Sequence, residues 1–125
     1  MPSVVLIVDD SPTEMFALTG ILKRHGFEVL SAQNADEGLN LARTQRPDLV
    51  LMDVVMPGLN GFQATRQLAR DPDTSAIPVV MVSTKSQETD RVWAMRQGAR
   101  GYLTKPIDER LLLQTIRQVL DGKPG

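Results

Sequence analysis

Residues 6–12 read LIVDDSP. A run of apolar side chains ends on two adjacent carboxylates, Asp9 and Asp10, and the chain then meets a serine and a proline. The apolar part, VVLIV at 4–8, does not alternate with polar residues, so it predicts a strand covered on both faces. Ser11-Pro12-Thr13-Glu14 follows at once and predicts a helix start, a capping box with proline at the first helical position. A buried strand that turns directly into a helix is the first half of a parallel crossover unit.

The rest of the chain repeats that unit. EVLSA (28–32), LVLMD (49–53), PVVMVS (78–83) and GYLTK (101–105) predict further short strands. The first helix closes at His25-Gly26, where a basic side chain suits the helix dipole better than it suits chemistry. The second repeats the capping device at Asn34-Ala35-Asp36-Glu37 and ends before Pro47. A third runs from about Asn60 to Arg70 with Phe62, Ala64 and Leu68 on one side, and DPDTSAIP after it has loop chemistry. The fourth spans about Gln87–Gln97, with Val92, Ala94 and Met95 available for burial, and ends at Gly98. The fifth starts near Asp108, carries Leu111, Leu112, Leu113, Ile116, Val119 and Leu120, and stops at Gly122. Met52, Met56 and Met81 are read as gap-filling core or loop anchors. Strands alternating with helices predict a doubly wound α/β domain built on a parallel sheet. In such folds the ligand site lies beyond the carboxyl ends of the strands.

Composition narrows the function classes. The 125 residues suit one domain, 1–125, and after the fifth helix only KPG remains, so no linker and no output domain are expected. Lys and Arg number 14 against 15 Asp and Glu, a net charge of −1 with no basic run, which argues against direct nucleic-acid binding. The absence of cysteine removes disulfides, thiolate metal sites and a Cys nucleophile. MPSVVLIVDD has no basic leader and its apolar run is cut by Asp9, so no membrane insertion and a cytoplasmic location are expected. No G-x-G-x-x-G follows the first strand, which argues against a dinucleotide site.

The residues at the predicted strand ends are Asp9, Asp10, Asp53, Ser83 and Lys105. If the first and third strands are neighbours, three carboxylates crowd together. Like charges about 4 Å apart repel by roughly 4 kcal/mol at an effective dielectric near 20, so a cation must compensate. An oxygen-rich cluster without cysteine suits the hard cation Mg²⁺. A carboxylate can attack phosphorus to give an acyl phosphate, a reaction that needs mainly positioning and charge neutralisation. The Lys105 ammonium, the Ser83 hydroxyl and the Ser83-Thr84 backbone supply these groups on the same rim.

VDDSP, LMDVVMPGLNG, MVST and YLTKP, in this order and spacing, resemble the receiver domain of two-component response regulators over the whole chain. That resemblance implies a flavodoxin-like five-stranded parallel sheet in the strand order 2-1-3-4-5, flanked by five helices. More narrowly, DDSPTEM, VMPGLNGFQATRQL, TSAIPVV and QGARGYLTKP are similar to the stand-alone regulators of type IV pilus twitching motility, the PilH-like group, with chemotaxis-like signalling. The resemblance implies that Asp53 accepts a phosphoryl group from a sensor histidine kinase or a small acyl-phosphate donor. It implies that Asp10, Asp53 and the Val55 carbonyl ligate Mg²⁺ directly, with Asp9 acting mostly through water. Lys105 would pair with the phosphoryl oxygens, Ser83 would swing toward them, and Tyr102 would turn inward. The Lys105–Pro106 bond is expected to be cis. The fourth helix, fifth strand and fifth helix would form the output surface, with Trp93 and Tyr102 among its partner contacts.

Val55 and Lys85, two residues after Asp53 and Ser83, are neither amides nor carboxylates able to orient water, which predicts slow self-dephosphorylation. Two other functions compete with the switch. A Mg²⁺-dependent phosphohydrolase would share the Asp nucleophile, but Val55 leaves no acid to protonate a leaving group. A phosphorylation-independent interaction module would not need all of the site residues. The downstream partner is not specified by the sequence.

Overall fold

The computed structural model describes residues 2–56 and 58–122; Pro57 of the M-P-G motif and the terminal KPG lie outside them. The order of elements is β1 (Val4–Val8), α1 (Pro12–Arg24), β2 (Glu28–Ala32), α2 (Ala35–Gln45), β3 (Leu49–Asp53), α3 (Gly61–Arg70), β4 (Val79–Ser83), α4 (Glu88–Arg96), β5 (Gly101–Thr104) and α5 (Glu109–Leu120). The five strands form one sheet in the order β2-β1-β3-β4-β5. Every pairing is parallel.

Successive side chains of a strand point to opposite faces, and here both faces are buried. Leu6, Val8, Val50, Met52, Val79 and Met81 pack under Leu39, Ala42, Ala64, Leu68 and Ala94. Val5, Ile7, Leu49, Leu51, Val80, Val82 and Leu103 pack under Leu18, Leu22, Leu112 and Ile116. This two-sided burial is why the strand sequences do not alternate. The register sets Val8 beside Met52, Asp53 beside Val82 and Ser83 beside Thr104, so the strands end along one rim.

The helix starts differ from expectation in one respect. At α1 the Ser11 hydroxyl accepts from the Glu14 N–H at 3.3 Å, but the Glu14 carboxylate is drawn away to Lys105, so the box is half made. At α2 the Asn34 side chain likewise accepts from the Glu37 N–H at 2.8 Å. The reciprocal box stands at α3, where Asn60 and Gln63 exchange bonds of 3.2 and 3.0 Å between side chain and backbone.

The fourth helix also departs from expectation. Of Val92, Ala94 and Met95 only Ala94 is buried; Val92, Met95 and Trp93 lie exposed. Helical period explains this, since α4 rests on the sheet through Ala94 and the following Gln97 and Ala99, which turns positions 92, 93, 95 and 96 outward. Leu111 of α5 is exposed beside buried Leu112 and Leu113.

Gly61 starts α3 against the backbone of β3. A Cβ there would lie 2.1 Å from the Asp53 carbonyl oxygen and 2.8 Å from the Val54 Cα. The Gly61 N–H donates to the Val54 carbonyl at 3.0 Å, which closes the loop that follows Asp53. Gly61→Ala is therefore expected to cost roughly 1–3 kcal/mol, because backbone must move to admit the methyl. Thermal unfolding checks this, and an unchanged midpoint would show that the loop yields freely.

Candidate functional site

The site is assembled from the turns that leave the strands. The Asp9 N–H still pairs with the Ala32 carbonyl at 3.0 Å, so Asp9 is held as a continuation of β1. Its Oδ1 accepts from the Ser11 N–H at 2.8 Å, an Asx turn that bends the chain into α1. Asp9 is 2% exposed whereas Asp10, in the turn where the chain leaves the sheet for α1, is exposed. Asp53, the last residue of β3, is 6% exposed. One carboxylate oxygen from each of Asp9, Asp10 and Asp53 lies within 4.8 Å of the others.

Lys105 supplies the compensating charge. Its N–H donates to the Ser83 carbonyl at 2.8 Å, which ties the residue to the end of β4. Its Nζ donates to Asp53 Oδ1 at 3.1 Å, to Asp9 Oδ2 at 3.4 Å and to the carboxylate of Glu14. The Lys105–Pro106 peptide is cis.

Burial dominates the titration of this cluster. It pushes Asp53 up to about 6, against the pull of the Lys105 ammonium, while Asp9 and Glu14 add to the rise. Asp9 is raised by burial as well, opposed by the Ser11 N–H and Lys105. For Lys105 burial works against the charge, but the carboxylates of Glu14, Asp53 and Asp9 outweigh it and the ammonium is held above its ordinary range.

Ser83 is fully buried, and its hydroxyl accepts from the Lys85 N–H at 3.0 Å. The Lys85 carbonyl accepts from the Tyr102 hydroxyl at 2.7 Å, so the turn after β4 is bolted to β5. Tyr102 is itself buried and points inward, lining rather than projecting from a groove of about 960 Å³ between α4 and α5. Val55 and the side chain of Lys85 are exposed on the same rim, and Trp93 is half-exposed on α4.

Glu14 is the site residue that sequence reasoning missed. Its position three residues after Ser11 fitted a helix cap, and that local rule concealed the contact with a residue 91 positions away. The available signal was its place in the first turn of a helix that starts from the acidic rim.

The donor set is all oxygen, and a buried ammonium already sits among these carboxylates, so the cluster fits a hard cation. Parallel strands ending in a carboxylate-lined rim, with a lysine immediately after the last strand, match a known family. The model of the response regulator receiver domain matches residues 5–117. Protein PilH of Pseudomonas aeruginosa is 66% identical over 118 residues, covering 94% of this chain and 98% of that protein. The transcriptional regulatory protein AfsQ1 of Streptomyces coelicolor is 38% identical over 120 residues, and the chain spans 52% of its length. The structure of the Vibrio cholerae chemotaxis protein CheY4 superposes with a TM-score of 0.89 at 29% identity, over 95% of this chain and 99% of that one.

The chain belongs to the response regulator receiver domain family. Receiver domains are signalling phosphoacceptors, phosphorylated on an aspartate, and are not enzymes acting on external substrates. The family typically partners a sensor histidine kinase. No helix among the described residues is long and apolar enough to cross a membrane.

Proposed function

We propose that the chain is a stand-alone, Mg²⁺-dependent response regulator whose phosphoacceptor is Asp53. The observation that carries this is the Asp53 carboxylate, buried at the end of β3, with Lys105 Nζ at 3.1 Å and the oxygens of Asp9 and Asp10 beside it. A sensor histidine kinase, or a small acyl phosphate, donates the phosphoryl group. An Asp53 oxygen attacks phosphorus, a P–O bond forms, and the P–N bond of the phosphohistidine breaks with its electron pair leaving on the imidazole.

Asp10, Asp53 and the Val55 carbonyl would hold Mg²⁺ directly, with Asp9 acting through water. When bound, the ion neutralises the carboxylates and the charge of the transferred group. Lys105 is already within reach of Asp53 and pairs with a phosphoryl oxygen. The Ser83 hydroxyl gives up its bond from the Lys85 N–H and donates to another. That exchange disturbs the turn whose Lys85 carbonyl holds Tyr102, and so reaches the α4-β5-α5 groove; Trp93 lies on the same α4 helix but on the side that faces α3.

The likeness to PilH over 98% of that protein's length supports a stand-alone regulator. A role in type IV pilus twitching motility or chemotaxis-like signalling, carried out in the cytoplasm, is part of the same proposal and rests on the motifs shared with the PilH-like group. The test is intact mass after incubation with Mg²⁺ and acetyl phosphate. One added phosphoryl group, lost with chelator, is the expected result; a wild-type chain that gains none from either acetyl phosphate or a histidine kinase overturns the proposal.

Val55 is 57% exposed and contributes no group that orients water toward Asp53. Val55→Asn is expected to shorten the lifetime of the phosphorylated state on the order of tenfold, as a positioned hydrogen-bonding group does for an attacking water. Decay of the phosphorylated mass with time checks this. An unchanged lifetime would place the control of hydrolysis elsewhere, with Lys85 the next residue to replace.

A further inference from the structure

A second cleft lies apart from both the acidic rim and the α4-β5-α5 groove. It has a volume of about 350 Å³, runs between α3 and α4, and is lined by Arg66, Ala69 and Arg70 on one side and Trp93, Arg96 and Gln97 on the other. Spacings of four residues on α3 and of three and four on α4 place these side chains on the facing sides of the two helices. The helices come together at the cleft's end through Gly98, where a Cβ would lie 2.7 Å from the Ala69 methyl.

The charge in this cleft is uncompensated. Among the described residues the ion pairs involve Arg24, His25, Arg43 and Lys105, and none involves Arg66, Arg70 or Arg96. The helix dipole accounts for part of the pattern, since Arg70 and Arg96 stand in the last turns of α3 and α4. It does not account for Arg66, which sits a turn earlier and faces the same space. Nor does it account for Trp93, which is left 49% exposed against the arginines.

Arginine and tryptophan together are the side chains that most often anchor protein interfaces, the first by forked pairing with carboxylates, the second by burying a large rigid face. The lining also offers apolar surface in the Ala69 methyl and the indole, which a bare phosphate would not cover. The net charge of −1 over the chain gives no long-range attraction for a nucleic acid. We infer that the α3–α4 cleft is a docking site for an acidic segment of a partner protein, one in which Glu or Asp carboxylates flank an apolar side chain that covers Trp93.

Trp93 is the only tryptophan, so its emission reports occupancy directly. The probe is a synthetic peptide of alternating glutamate pairs and leucines, titrated into the unphosphorylated chain, with a peptide carrying lysine for every glutamate and inorganic tripolyphosphate as comparisons. Saturable change in Trp93 emission with the acidic peptide alone is expected. Arg66→Gln with Arg96→Gln should weaken it by roughly tenfold or more. All three arginines are exposed, so the substitutions leave the core untouched, and far-ultraviolet circular dichroism verifies this. Equal binding by the doubly substituted chain, equal response to the lysine peptide, or no saturable response overturns the inference. Tighter binding of tripolyphosphate than of the acidic peptide also overturns it, and assigns the cleft to a phosphate-bearing ligand. The titration needs no phosphoryl transfer, so its outcome is independent of the role of Asp53.

Discussion

Lys105→Met is expected to lower stability at pH 7 by about 3–5 kcal/mol, the cost of leaving buried charge unpaired. Methionine preserves the length and most of the packing of the stem, so the loss reports the ammonium. The Lys105 side chain is 10% exposed, and its ammonium donates to Asp53 at 3.1 Å and to Asp9 at 3.4 Å. Both carboxylates are buried and stay so when it is gone. The Glu14 contact adds little to the sum, because its carboxylate is 40% exposed and water replaces the partner.

The pH dependence has a definite sign. Lys105 is held above its ordinary value of 10.5 in the folded chain, so its contribution is present below 10.5 and is lost as pH rises through the folded value. In the variant, lowering the pH protonates the carboxylates and removes the unpaired charge. Denaturant unfolding at pH 7 and pH 5, with and without Mg²⁺, should show the deficit shrinking in acid and with metal. An equal deficit under all conditions would point to lost packing instead.

The second large effect is at Asp53. Asp53→Asn should abolish the mass gain from acetyl phosphate, since no other carboxylate of the rim combines its burial, Lys105 bond and place at the sheet's midline. The same substitution should stabilise the chain in metal-free buffer. Burial pushes the Asp53 carboxyl up from its ordinary 3.8 to about 6, so the folded chain holds the proton more tightly than the unfolded chain. Stability is therefore greatest below 3.8 and falls as pH rises from 3.8 to about 6. By linkage this amounts to about 3 kcal/mol at pH 7.

Asparagine removes that loss but gives up a charge-assisted bond from Lys105, so a net gain of about 1–3 kcal/mol is expected at pH 7. Near pH 4 the gain should vanish. Mg²⁺ should narrow the difference, because binding to the folded wild type stabilises it by mass action. A variant less stable than wild type in metal-free buffer at pH 7 would show that the Lys105 pairing outweighs desolvation.

The five strands were legible because burial on both faces leaves unbroken apolar runs whose ends are marked by Asp9, Asp53, Ser83 and Lys105. Those same residues made the rim legible, since a parallel sheet in this order brings all its carboxyl ends to one side. Glu14 was hidden because one residue satisfied two rules, and the local rule of the helix cap was the visible one. Val92 and Met95 misled because apolar character predicts burial only when a partner surface exists, and α4 meets the sheet chiefly through Ala94. The tight passage of Gly61 over the Asp53 carbonyl depends on a loop conformation that periodicity does not encode. The α3–α4 cleft required two helices far apart in sequence to be set side by side, which only the fold provides.

The central claim is that the phosphoryl group is carried by Asp53. The most direct measurement is to phosphorylate the wild-type chain in Mg²⁺, reduce it with borohydride, which converts an aspartyl phosphate to homoserine, and sequence the peptides by mass spectrometry. Homoserine at position 53, absent without acetyl phosphate, is the predicted result. The reduced residue at position 9 or 10, with position 53 unchanged, would contradict it.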